Sequence, residues 1–80
     1  MKTNQLFNQS NVTISDYINL SQELINDAVD TADVTGNPLV SKIVSKMQVA
    51  FNSHPSCDFS AFKMCESIEI WHNQIDECFN

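Results

Sequence analysis

The side chains that could bind a soft metal or act as nucleophiles crowd toward one end of the chain: His54, Cys57, Cys65, His72 and Cys78. Zinc is the ion such a set would serve. Zinc sites usually bring paired ligands two to four residues apart, and only His54-x-x-Cys57 has that spacing. At helical pitch Cys65 and His72 share an edge, whereas Cys78 points more than about 100° away from either. Buried structural thiols and a boundary histidine are therefore expected, with no metal. A catalytic cysteine needs a thiolate favoured by positive charge or by a helix N-terminus. Cys57 sits at a helix start but has Asp58 beside it and no lysine or arginine nearby. The chain has one glycine, Gly36, so a phosphate-cradling loop is ruled out, and no Ser/His/Asp arrangement or catalytic carboxylate pair stands out. Neither catalysis nor a cofactor is expected.

Carboxylates are the more informative residues. Ten Asp/Glu stand against four Lys/Arg, for a net charge of -6. That excludes direct binding to nucleic acid or to an anionic membrane, which needs the opposite sign. The acids are segregated: residues 13–36 carry -5, residues 37–57 carry +2 and residues 58–80 carry -4. Asp16, Glu23, Asp27 and Asp30 project within about 60° of one another on a helix, with Asp33 beside them. Asp58, Glu66, Glu69, Asp76 and Glu77 fall within about 100° on another. At ~1.5 Å per residue the first stripe extends ~21 Å and the second ~28 Å. This approaches the charge spacing of a nucleic-acid strand. Ordinary soluble helices intersperse opposite charges at i,i+4, and here that option is unused. Two readings follow: a solvated face that keeps the chain soluble, or a docking face for a basic partner.

Three helices must position these residues. Thr13-x-x-Asp16 reads as a capping-box start for a helix over 14–33, and Gly36 can supply the left-handed residue that ends it. Ile14, Tyr17, Ile18, Ser21, Leu24, Ile25, Ala28, Val29 and Ala32 form its apolar stripe. Asn37 caps a second helix, 38–52, with Pro38 in the first turn where a missing amide hydrogen costs nothing. Its inward face is Leu39, Val40, Ile43, Val44, Met47, Ala50 and Phe51. A third helix, 58–78, follows Pro55 with Ser56 or Asp58 as cap. It turns Ala61, Met64, Cys65, Ile68, Trp71, His72, Ile75, Cys78 and Phe79 inward. Phe59, Phe62 and Ile70 interrupt its polar side; they either cover the short second helix or the N-terminal arm, or form an apolar interface for a partner or a second copy. Residues 1–12 show neither period and read as an N-terminal arm anchored by Leu6 and Phe7, or as a short helix.

The expected fold is thus all-α: a small three-helix bundle, residues 13–80, preceded by an arm. The longest apolar runs are two or three residues, so no signal peptide or membrane span is expected. Three cysteines would leave a disulfide framework unbalanced, which favours a reducing cytoplasm.

In size, acidity and lack of catalytic apparatus the whole chain resembles the small inhibitors encoded by phages and mobile elements, including anti-CRISPR and other anti-defence proteins. The resemblance implies an inhibitor in the host cytoplasm that offers carboxylates where its target expects phosphates, a nucleic-acid mimic. Its contact face would be Asp16, Glu23, Asp27 and Asp30, or Glu66, Glu69, Asp76 and Glu77. Two other readings stay open: an antitoxin or immunity-type protein neutralising a basic toxin, and a structural homodimer built on Phe59, Phe62 and Ile70.

Overall fold

Three helices follow one another: α1 (Ile14–Thr35), α2 (Pro38–Phe51) and α3 (Asp58–Glu77). The structure is a computed structural model and describes residues 13–53, 55 and 57–78. The expected arm with Leu6 and Phe7, His54, the Ser56 cap, the Asp58 side chain and Phe79 lie outside the described residues.

The helix ends obey local chemistry. At the start of α1 the Asp16 carboxylate accepts from the Thr13 amide at 2.8 Å and from its hydroxyl at 3.2 Å. A backbone donor that the helix would leave unpaired is thereby satisfied. Gly36 closes α1 at φ 63°, its amide donating to the Ala32 carbonyl at 2.9 Å. A methyl group added at Gly36 would meet nothing within 4 Å, so only the left-handed backbone restricts this position. Gly36→Ala is accordingly expected to cost about 1–2 kcal/mol, as the loss of stability in a urea titration. Asn37 caps α2, its Oδ1 accepting from the Leu39 amide at 2.9 Å, with Pro38 as the first helical residue. The start of α3 departs from expectation. Cys57, not Ser56 or Asp58, occupies the cap position in extended backbone and makes no side-chain cap hydrogen bond. Its sulfur lies 3.4 Å from the Ser60 hydroxyl instead.

The chain runs up, down and up, and each helix packs against the other two. The parallel course of α1 and α3 follows from two contacts: Tyr17 meets Phe62, and ten residues further along both helices Asp27 meets His72. One core cluster joins all three helices through Leu24, Ile25, Ala28, Val40, Val44, Met47, Met64, Ile68 and Ile75. A second ties α1 to α3 alone, through Tyr17, Ala61, Phe62 and Cys65.

The apolar stripes predict these clusters except for Phe62, assigned to the polar side, and three further residues expected to be buried are exposed. Leu39 is 60% exposed, because at helical pitch it lies about 100° round α2 from its fully buried neighbour Val40, off the face that meets the other helices. Cys57 and Cys78, expected as buried thiols, are exposed; both lie just outside the ends of α3, where no neighbouring helix covers them. Only Cys65 is a buried thiol among the described residues. No helix is long and apolar enough to cross a membrane among those residues.

Candidate partner-binding surface

The capping box already occupies the first residue of the α1 stripe. Asp16 is half-buried and its carboxylate is held by Thr13, so its role at this site is to start the helix. Glu23, Asp27 and Asp30 are exposed further along. On α3, Asp76 and Glu77 are exposed, while Glu66 is half-buried with Lys63 Nζ 3.5 Å from its carboxylate.

Glu69 does not belong to the surface. It is 5% exposed, and one of its carboxylate oxygens is fully enclosed. The reason is the width of the buried arc of α3. Cys65 and Phe62, on either side of the Glu69 position at helical pitch, are both buried against α1. Phe62 is likewise corrected: it is 8% exposed, with its ring 6.1 Å from that of Tyr17 in an edge-on arrangement. Its neighbours Phe59 and Ile70 remain outside, at 60% and 44% exposure. The Phe59 ring tilts against that of Phe62 and lies under the Lys63 ammonium, 5.6 Å from the ring centre.

The two acidic stripes meet at His72. Its Nε2 lies 2.6 Å from Asp27 Oδ2 on α1, and its Nδ1 lies 3.7 Å from Asp76 Oδ2 one turn along α3. A carboxylate only accepts, so Nε2 carries the hydrogen and donates to Asp27. The His72 side chain is 17% exposed, whereas Asp27 and Asp76 are 66% and 61% exposed. The imidazole thus sits low in the α1–α3 seam, with a carboxylate projecting on each side. Because the two acids address opposite ring nitrogens, the three groups do not converge on one point. No group of three or more His, Cys, Asp or Glu side chains among the described residues could hold a metal ion.

Sequence reasoning took His72 as a boundary residue and missed that it joins the stripes. Two signals pointed there: Asp76 stands four residues after His72, and a three-helix chain with short loops runs its first and third helices in parallel. Compared with protein-family models, with curated proteins and with solved structures, the chain matches none.

Proposed function

We propose that this chain is a small acidic interaction module that inhibits a larger, nucleic-acid-handling protein by occupying a basic surface on it. The observation that carries the reading is the joining of the stripes across the α1–α3 seam. Glu23, Asp27 and Asp30 on α1 and Asp76 and Glu77 on α3 place exposed carboxylates on two parallel helices bridged by His72. Neither helix has a lysine or arginine that neutralises these five: α1 has none, and Lys63 of α3 lies beside Glu66. Opposite signs across an interface speed association and fix orientation, and a partner that normally holds phosphates already carries the required lysines and arginines. On this reading the module is of the nucleic-acid-mimic kind, as in the anti-CRISPR and anti-defence inhibitors it resembles. It acts in the compartment where that partner works, the cytoplasm, and does so without a catalytic residue or cofactor.

The experiment is competitive capture. The immobilised chain is exposed to extract of its source cell at low salt, and retained proteins are challenged with an excess of duplex or single-stranded nucleic acid. Retention of a basic protein that nucleic acid displaces is the expected result. A retained partner indifferent to nucleic acid would overturn the mimic reading and favour neutralisation of a basic toxin.

A further inference from the structure

We infer that His72 is a proton-operated clasp: by taking up one proton at Nδ1 it holds Asp27 of α1 and Asp76 of α3 together and withdraws both carboxylates from the acidic surface. The clasp does not depend on the inhibitor reading; only its effect on docking does. Histidine is the side chain whose charge ordinarily changes between about pH 5 and 8. In the neutral ring Nε2 carries the hydrogen, which it donates to Asp27 Oδ2 at 2.6 Å. Nδ1 then has a lone pair and no hydrogen. Asp76 Oδ2, 3.7 Å away, also offers only lone pairs, so the two repel and the gap stays outside hydrogen-bond reach. One proton taken from solvent at Nδ1 turns that repulsion into a charge-assisted hydrogen bond of about 2.8 Å. Asp76 is 61% exposed in the last turn of α3 and is free to close the remaining ~1 Å.

The groups around the ring leave this role to His72. α1 places Asp27 against it, with Glu23 and Asp30 about one turn to either side of Asp27. α3 places Asp76 one turn after the ring, Glu69 about one turn before it and the Cys65 thiol two turns before. α2 brings no acid, and its titratable side chains, Lys42 and Lys46, are exposed. Lys46 stands beside Trp71, about 140° round α3 from Asp76. Lys63 engages Glu66, about 13 Å back along the axis of α3. Among the described residues no lysine or arginine is paired with Asp27 or Asp76, so the imidazolium is the cation that meets them. Proton uptake leaves the three groups with one negative charge in place of two. The His72 side chain is 17% exposed, open enough to exchange a proton with solvent and enclosed enough that salt screens the contact less than it screens a fully exposed pair.

Nuclear magnetic resonance of the full chain, titrated from about pH 8 to about pH 5.5, tests the clasp. At the alkaline end the two ring nitrogens of His72 should resonate apart, with the hydrogen on Nε2. On acidification they should converge, and the Asp76 carboxyl carbon should move with the same midpoint. An Asp76 carboxyl that does not follow His72 overturns the inference, and so does a neutral ring with its hydrogen on Nδ1. His72→Gln supplies a second arm: the glutamine amide still donates to Asp27 but takes up no proton, and helical circular dichroism establishes that the variant folds. His54 stays in both proteins, so its contribution cancels. Oligolysine is the probe. Between the two pH values its binding at low salt should weaken about fivefold more for the wild type than for His72→Gln, which is the worth of one unit charge at ~4 Å in water. An equal pH dependence in both proteins overturns the effect on docking. Oligolysine that binds neither protein at either pH overturns the acidic-docking reading, while the resonances still decide the clasp.

Discussion

Truncation of Ile68 to alanine is expected to remove about 2–5 kcal/mol of stability. Ile68 is fully buried near the middle of α3, in the cluster to which all three helices contribute. Removing its branched side chain loses the transfer energy of the deleted carbons and leaves a cavity that Leu24, Val44, Met47 and their neighbours close only in part. The loss is large relative to the whole. A domain of this length has a total stability on the order of 4–12 kcal/mol. At the low end of that range a loss of this size brings the folded and unfolded states close to balance. Chemical denaturation monitored by helical circular dichroism measures the effect. A loss below about 1 kcal/mol would mean that the three-helix cluster is not the cohesive part of the fold.

The sequence disclosed this core because its signal is periodic. Thr13 with Asp16, Gly36, and Asn37 with Pro38 mark helix ends by chemistry that acts over a few residues, and the apolar stripes between them repeat at the helical pitch. Such information is local, and it places Tyr17, Leu24, Val44, Met47 and Ile68 correctly. The errors fall where burial depends on a third element. At helical pitch Glu69 and Phe62 sit at the edge of the apolar arc. Whether an edge position is solvent or core depends on how far α1 overlaps it, which no property of α3 alone reveals. Cys57 and Cys78 fail in the opposite sense: their type predicts burial, but positions beyond the ends of α3 have no helix above them. The partnership of Asp27 with His72 spans 45 residues and needs the parallel alignment of α1 and α3, which appears only once the bundle is assembled.

The burial of Glu69 changes which substitutions can test the acidic surface. Reversing Glu69 to lysine would put an ammonium in a site that is 5% exposed, and the resulting loss of binding could not be told from loss of fold. Asp27 is also a poor choice by itself, because its reversal opposes a lysine to the His72 hydrogen that it now accepts. Glu23 and Asp30 on α1, and Glu77 on α3, are exposed, and no hydrogen bond or ion pair engages them among the described residues. Glu23→Lys with Asp30→Lys changes the net charge by four, and surface substitutions of this kind usually alter stability by no more than about 0.5 kcal/mol each. Binding to a basic partner should fall by at least about tenfold at low salt, mainly through a slower association rate. The difference from the parent should shrink as salt rises, because the Debye length contracts from about 10 Å at 0.1 M to about 3 Å at 1 M. Glu77→Lys should act in the same direction with a smaller effect, as a single reversal at the end of α3. Surface plasmon resonance with the captured partner across a salt series separates the outcomes. A variant with the parent's melting curve and the parent's association rate at every salt concentration would mean that the stripes are solvated faces that keep the chain soluble. A slower, salt-dependent association with an unchanged melting curve assigns binding to the carboxylates themselves, because the helices that carry them are still in place.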